Sequence, residues 1–162
     1  MRINPYIFRG YDLRGIAGED LNPEIVEHLG KAYGTFLLKR GIKKTVVGQD
    51  CRLSSPSYSE AIIKGILSTG VDVIDIGLAL AGTVYWAQYY FKAKGCVSVS
   101  GSHNPAEYNG FKLGTGFSQT MVSEDIQEFR QIVEKGEFSK GKGKLEKKDI
   151  KFIYQSKGQY FF

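Results

Sequence analysis

The residue types best suited to chemistry lie in the run Ser-Gly-Ser-His-Asn-Pro at positions 100–105. An apolar segment over residues 96–100 is followed by a turn that holds Ser102, His103 and Asn104. Small polar residues at the carboxyl end of a buried strand occupy the place where open α/β sheets bind ligands. A serine hydroxyl is a weak nucleophile that needs a partner group, or prior phosphorylation, to act. The pattern therefore predicts that Ser102 carries a transferred group, with hydrogen-bond donors around it.

Two cations could neutralise an anionic group near this serine. Lys112 lies ten residues further along, across a turn that could fold it back, and Arg14 lies with Tyr11 on a glycine-flanked loop. A guanidinium matches the oxygens of a phosphate bidentately. The spacing alone leaves two alternatives open, a surface lysine on an edge strand and an arginine paired with Asp12 or Asp20.

The segments between these residues alternate between strand and helix patterns. Strands are predicted at Pro5–Phe8, 45–48, 71–76 and 96–100, with an extended return strand at 108–113. Helices are predicted from Asn22-Pro23 to Gly41, from Ser55-Pro56 to Gly70, over 83–93, and over 124–135 with Ser123 as the cap. Such alternation favours right-handed βαβ units. The predicted fold is a three-layer α/β/α domain with a mostly parallel mixed sheet and helices on both faces.

Composition bounds the class of protein. A chain of 162 residues with 42% hydrophobic residues is typical of one globular domain with a proper core. Two cysteines, Cys51 and Cys96, form no disulfide framework or paired metal-binding motif, and we interpret them as reduced thiols. The opening residues lack the apolar run of a signal peptide, and no stretch is as apolar as a membrane span. These features predict a cytoplasmic protein without a membrane partner.

The net charge of +5 comes from one end of the chain. Residues 139–162 hold seven lysines and two acidic residues, whereas the other 138 residues hold 15 basic and 15 acidic groups. The run Ser-Lys-Gly-Lys-Gly-Lys at 139–144 is typical of a flexible linker. We therefore predict a domain over 1–138, followed by a lysine-rich linker and aromatic tail over 139–162, and no nucleic-acid partner.

Three segments resemble the α-D-phosphohexomutases, the phosphoglucomutase/phosphomannomutase family. The Ser-His-Asn-Pro loop resembles the family's active-site serine loop. Phe8-Arg-Gly-Tyr-Asp-Leu-Arg-Gly-Ile16 is similar to its Phe-Arg-x-Tyr-Asp-Ile-Arg-Gly segment, and Val47-Gly-Gln-Asp-Cys-Arg-Leu-Ser-Ser55 to its Gly-Arg-Asp-x-Arg-x-Ser segment. The resemblance runs from about Phe8 to about Ile150 and covers the first of the family's four domains.

The resemblance implies a reaction and roles for the residues above. Phosphorylated Ser102 would donate its phosphoryl group to a hexose phosphate, and the bisphosphorylated sugar would reorient and return its other phosphate, so that phosphate moves between the 1- and 6-positions. Arg14, Lys112 and His103 would assist catalysis, and Tyr11, Arg14, Asn104 and Lys112 would bind substrate or phosphate. The implied partners are a hexose phosphate and an activator of the glucose-1,6-bisphosphate type. Which hexose is used stays open.

The resemblance also implies Mg²⁺, held by one phosphoserine oxygen and three aspartates of a second-domain Asp-x-Asp-x-Asp loop. This sequence has no such run. Ser102, through its phosphate, would then be the metal ligand here, although a hard dication needs several oxygen ligands. We accordingly expect little or no mutase turnover from the isolated chain. Asp50 and Arg52 are predicted to be structural, pinning the junction of strand and loop after residue 48.

The family continues into a second domain beyond the last residues here, which leads us to expect a truncated or frameshifted product, or a chain cut near a domain boundary. The aromatic tail is expected to pack on its own domain or on a neighbouring chain, and a homodimer would cover exposed apolar surface. Two other functions stay open. One is a non-catalytic remnant or module that binds phosphate or a partner; the other, ranked last, is a nucleic-acid binder that uses the lysine-rich tail.

Overall fold

The structure is a computed structural model that describes residues 3–151. The strands are β1 (Leu13–Ile16), β2 (Lys44–Gln49), β3 (Asp72–Leu78), β4 (Gly95–Val99), β5 (Tyr108–Gly116), β6 (Gln119–Thr120) and β7 (Leu145–Lys147). The helices are α1 (Pro23–Lys39), α2 (Ser55–Leu67), α3 (Ala81–Tyr90) and α4 (Ser123–Lys135). Within residues 3–151, no helix is both long enough and apolar enough to cross a membrane.

One mixed sheet runs through the described residues, in the order β1-β5-β4-β2-β3-β7, with β6 beside β5. β2 is parallel to β3 and β4, and β3 is parallel to β7. β5 is antiparallel to β1, β4 and β6. Since β2 and β4 are parallel neighbours, their carboxyl ends meet at one edge, where the Asp50 N–H donates to the Val99 carbonyl at 2.9 Å.

Helices cover both faces of the sheet, which confirms the predicted three-layer fold. The larger core lies between the sheet and α1, α2 and α4, and it includes Phe36, Ile62, Val97, Phe111 and Phe129. The smaller core lies between the sheet and α3, and includes Val46, Ile74, Val84, Ala87 and Cys96. Alternate residues of each strand feed the two cores because successive side chains point to opposite faces.

Local signals in the sequence account for the first helix. The Asn22 side chain accepts a hydrogen bond from the Ile25 N–H at 2.9 Å, and Pro23 occupies the first helical position. Gly41 has a φ of 68° just after the helix, a left-handed conformation that glycine adopts at little cost. The predicted helix start at Asn22-Pro23 and its end at Gly41 are confirmed.

Buried polar side chains tie the helical layer to the sheet. The Tyr33 hydroxyl on α1 lies 2.9 Å from the Cys96 carbonyl and 2.6 Å from the Gly114 carbonyl, and it accepts from the Cys96 N–H at 3.1 Å. Burial raises the pKa of the Cys96 thiol to about 12, so this side chain stays neutral in the core. Cys51 is exposed, and both cysteines are free thiols.

The predicted strand at Pro5–Phe8 is wrong. Residues Pro5–Ile7 form a single 3₁₀ turn, in which the Asn4 side chain accepts from the Tyr6 N–H at 3.0 Å. Proline lacks the N–H that a strand ladder needs and fits the first position of a helical turn. The strand begins later, at Leu13, inside the segment expected to be a loop.

The prediction that Ser123 caps the fourth helix is also wrong. The cap position belongs to Val122, and its side chain makes no capping hydrogen bond. Ser123 is the first helical residue, with a φ of 31°, and its N–H donates to the Gly10 carbonyl at 2.9 Å. A backbone contact with a distant loop therefore replaces the local cap that the sequence favoured.

Residues 139–151 lie against the domain and do not form the flexible linker that their composition predicts. The Gly141 and Gly143 N–H groups donate to the Ser68 and Leu67 carbonyls at 2.9 and 2.8 Å. β7 then pairs with β3, and the Ile150 side chain is buried in the core beneath α3. The aromatic tail beyond residue 151 lies outside the described residues, and the boundary at 138/139 stays a prediction.

Candidate active site

Ser102 lies on an exposed loop at the carboxyl end of β4. Its φ of 53° is in the left-handed region, which is uncommon for a residue with a side chain and frequent at functional sites. The Ser102 N–H donates to the Ser100 hydroxyl at 2.9 Å. The Ser102 hydroxyl lies 3.4 Å from His103 Nδ1. The structure thus presents this hydroxyl to solvent beside a group that can exchange a proton.

Arg14 is brought to the same loop by β1. Its Nε and Nη2 atoms contact Asp12 Oδ2 at 2.9 and 2.8 Å, so the pairing with Asp12 that the sequence left open is present. Its Nη1 donates to the Gly101 carbonyl and, at 3.5 Å, to the Ser100 carbonyl. With 10% of its side chain exposed, Arg14 braces the backbone immediately before Ser102.

Asp50 holds the loop from the side of β2. Its Oδ2 accepts from the Gly101 N–H at 3.1 Å, and its Oδ1 accepts from the Ser55 hydroxyl at 2.5 Å and the Arg52 N–H at 3.1 Å. Burial raises the pKa of Asp50, but these hydrogen bonds, with one from Ser100, outweigh burial and hold the pKa below its ordinary value. The Asp50 carboxylate is therefore charged at neutral pH.

Lys112 lies on β5, directly opposite Ser98 of β4 in the antiparallel register. Its ammonium is 5.6 Å from the centre of the Tyr11 ring, a cation–π arrangement. More than half of the Tyr11 side chain is exposed. Because residues paired across antiparallel strands share a face of the sheet, Lys112 and Ser98 point to the side that α3 covers.

Asn104 closes the turn after Ser102. Its N–H and its side-chain amide both donate to the Gly101 carbonyl at 3.0 Å. These bonds fold residues 101–104 into a compact loop whose hydroxyl and imidazole face outward. In the structure Asn104 therefore shapes the loop, and its assignment as a phosphate-binding residue stays a prediction.

Sequence reasoning missed the part that Asp50 and Arg52 play at the serine loop. It expected them to pin their own strand-loop junction, whereas both side chains reach across to the loop that follows β4. The order of the strands in the sheet explains this contact. Because β2 and β4 are parallel neighbours, the residues that follow the two strands lie close together. A sequence does not state which strands are neighbours.

A cavity of about 420 Å³ opens beside the loop, at the carboxyl ends of β2, β3 and β4. Its lining includes Asp50, Cys51, Ser98 and Ser100. Leu78 and Leu80, both largely exposed, also line it, with Ala79 and with Ala81 at the start of α3. The cavity combines polar groups near the serine loop with an apolar wall, as ligand sites commonly do.

Residues 3–151 do not by themselves make a magnesium site. Within residues 3–151, no group of three or more His, Cys, Asp or Glu side chains could hold a metal ion. Both oxygens of Asp50, whose carboxylate contacts the loop, accept hydrogen bonds from the protein. A phosphate on Ser102 could give one oxygen ligand, fewer than the several that Mg²⁺ takes.

Comparison with known proteins agrees with this geometry. Residues 5–140 match the family model described as phosphoglucomutase/phosphomannomutase, alpha/beta/alpha domain I. The chain belongs to this family. A phosphomannomutase/phosphoglucomutase of Pseudomonas aeruginosa is 38% identical over 144 residues, which cover 89% of this chain and 31% of that protein. A Klebsiella pneumoniae phosphomannomutase is 39% identical over 132 residues, covering 81% of this chain and 82% of that protein.

A solved structure from the same family has the same fold as this chain. The crystal structure of a phosphoglucomutase/phosphomannomutase family protein from Burkholderia thailandensis superposes with a TM-score of 0.87 and 31% identity. It covers 94% of this chain, which spans 35% of that protein. The resemblance inferred from the three segments and the predicted α/β/α fold are both confirmed.

Proposed function

We propose that this chain is the phosphoserine-bearing domain of a phosphohexomutase that acts on a hexose phosphate. The observation that carries the proposal is the Ser102 hydroxyl, exposed at the carboxyl end of β4 on a loop held by charged side chains, in a member of this family. Phosphoryl transfer depends chiefly on positioning and on stabilising charge. The bracing of the loop by Arg14, Asp50 and Arg52 supplies the positioning.

In the proposed reaction, phosphorus passes between Ser102 Oγ and a sugar hydroxyl. When a bisphosphorylated sugar phosphorylates the serine, the Oγ–P bond forms and the sugar O–P bond breaks. The serine proton is transferred to the sugar oxygen. His103 Nδ1, 3.4 Å from Oγ, would relay that proton. Lys112 and Tyr11 would contact the phosphate or the sugar.

The 162 residues by themselves are expected to show little or no mutase turnover. The chain spans 31% of the Pseudomonas aeruginosa relative, and residues 3–151 present no set of ligands for the Mg²⁺ expected in the complete enzyme. The half-reaction at Ser102 needs fewer parts than the full cycle. We therefore expect the chain to accept a phosphoryl group more readily than it isomerises a sugar phosphate.

Phosphopeptide mass spectrometry after incubation with glucose 1,6-bisphosphate tests the proposal. The expected result is phosphate on Ser102 in the wild-type chain and none on that peptide in Ser102→Ala. Ser118→Ala is the matched control, because Ser118 is exposed and has the same φ of 53° on a different turn. A wild-type chain without phosphate at Ser102 would instead favour a module that binds phosphate or a partner.

A further inference from the structure

The Arg52 guanidinium grips the serine loop entirely through backbone carbonyls. One terminal nitrogen, Nη2, donates to the Ser102 carbonyl at 3.0 Å and the Asn104 carbonyl at 2.6 Å. The other, Nη1, donates to the Tyr108 carbonyl at 2.8 Å and the Pro105 carbonyl at 2.5 Å. One planar group with fixed donors therefore holds four carbonyls, three in the loop and one at the first residue of β5.

Arg52 is itself fixed in place. Its Nε lies 3.4 Å from Asp50 Oδ2, and 15% of its side chain is exposed. The same Asp50 oxygen accepts from the Gly101 N–H, on the residue before Ser102. Asp50 thus joins the guanidinium to the amino-terminal side of the serine loop, while Arg52 holds its carboxyl-terminal side.

This grip sets the direction of the peptide groups around the serine. In a trans peptide, the carbonyl of one residue and the N–H of the next point in opposite directions. Because the Ser102 carbonyl points at Arg52, the His103 N–H points away from it. The left-handed φ of Ser102 persists only when its surroundings enforce it, and the Arg52 contacts are part of that enforcement.

We infer that Arg52 is a positioning residue for phosphoryl transfer to Ser102. The inference rests on the proposed function and adds a role that the residue types alone did not reveal. In the transfer, Ser102 Oγ forms its bond to phosphorus as the sugar O–P bond breaks, and the serine proton passes to the sugar oxygen. Arg52 acts through the loop carbonyls, which hold Oγ and the His103 N–H in their orientation while these bonds exchange.

The geometry separates this role from that of a simple positive charge. An ammonium at this position is a single point with three donors, and it cannot contact four carbonyls as the planar guanidinium does. A displacement of about 1 Å at a reacting group can cost about 100-fold in rate. Arg52→Lys should therefore be impaired even though it keeps the charge.

The test measures the rate at which Ser102 takes up phosphate from glucose 1,6-bisphosphate, followed by intact-protein mass spectrometry over a range of donor concentrations. Arg52→Ala should lower the maximal rate by about 100-fold and change the half-saturating donor concentration much less. The maximal rate of Arg52→Lys should fall between the rates of the wild type and of Arg52→Ala. Added guanidinium ion, below denaturing concentrations, should partly restore Arg52→Ala and leave the wild-type rate unchanged.

Arg40→Ala is the matched control, because Arg40 is an arginine bonded to Asp125 and Glu128 on a distant surface. Its uptake rate should equal that of the wild type. Circular dichroism and thermal melting establish that each variant is folded before its rate is compared. Arg52→Lys, the milder change, serves if Arg52→Ala does not fold.

The outcomes separate this inference from the proposed function. Uptake by the wild type with an unchanged rate in Arg52→Ala would overturn the positioning role and leave the phosphoserine proposal intact. A slow Arg52→Ala that guanidinium fails to restore, with a wild-type rate in Arg52→Lys, would also overturn it. No uptake by the wild type would overturn both.

Discussion

Three features of Ser102 are compatible with the proposed role as phosphate carrier. Its hydroxyl is exposed, its backbone is held in a left-handed conformation, and a neighbouring imidazole lies within 3.4 Å. The residue types predict that Ser102 carries the phosphate and that His103 assists it, and both roles stay predictions. Arg14 was expected to contact phosphate. In the structure its guanidinium instead donates to Asp12 and to the carbonyls of residues 100 and 101.

The charge on Asp50 links the serine loop to pH. Because hydrogen bonds hold the pKa of Asp50 lower in the folded chain than in the unfolded chain, its contribution to stability is complete above the ordinary carboxyl value of about 4. That contribution is lost as the pH falls through the lowered pKa.

Asp50→Asn tests this link. The free energy of unfolding of the variant should be lower than that of the wild type at pH 7, and the difference should shrink steadily below about pH 4. Urea unfolding at a series of pH values measures it. A difference that stays constant down to the acid limit would show that the carboxylate charge makes no contribution.

Helices α1 and α2 pack closely where Gly30 and Gly65 face each other. A Cβ on Gly65 would lie 2.2 Å from the Glu27 carbonyl oxygen, and one on Gly30 would lie 2.4 Å from the Ile62 carbonyl oxygen. A helix pair packed this tightly fixes α2, and Ser55 at its start donates to Asp50. The helix crossing therefore supports the site from a distance.

Gly65→Ala should force the two helices apart and lower the free energy of unfolding by about 1–3 kcal/mol, the usual range for overpacking. Thermal or urea unfolding measures the loss. Gly82→Ala on α3 is the control, since its added Cβ would meet no atom within 4 Å apart from its chain neighbours and the backbone of its own helix. That variant should be neutral or more stable by up to about 1 kcal/mol. Equal stability of the two variants would contradict the packing account.

The elements also show what a sequence can and cannot specify. The start of α1 was predictable because Asn22 and Pro23 act within a single turn. The 3₁₀ turn at Pro5–Ile7 was missed because the prediction followed the apolar character of the segment, whereas Pro5 and the Asn4 side-chain contact favour the turn. The pairing of β7 with β3 was missed because backbone hydrogen bonds carry it, and lysine-rich composition does not reveal them.

Across the whole molecule, residues 139–151 extend the sheet and close the core beneath α3. Ile150 is 4% exposed in a cluster with Val46 and Ile74, whereas Leu145 on β7 is 43% exposed. Residues 139–151 hold six lysines and two acidic residues, which gives +4 of the net charge of +5. Residues 139–151 are thus part of the domain's structure.

Ile150→Ala should lower the free energy of unfolding by about 2–4 kcal/mol, because it removes a buried side chain from the smaller core. Leu145→Ala should lower the free energy of unfolding by less than about 1 kcal/mol, because Leu145 is exposed. Urea unfolding of the two variants compares them directly. If Ile150→Ala lowers the free energy of unfolding no more than Leu145→Ala does, residues 139–151 do not contribute to the core and act as a linker.

The most direct measurement follows the phosphorus itself. ³¹P NMR of the folded chain mixed with glucose 1,6-bisphosphate should show a protein-bound phosphoserine signal that grows as sugar monophosphate forms, in equal amounts. The signal should be absent from Ser102→Ala. If the bisphosphate signals persist unchanged with the folded wild-type chain, Ser102 does not accept phosphate, and the proposed function is wrong.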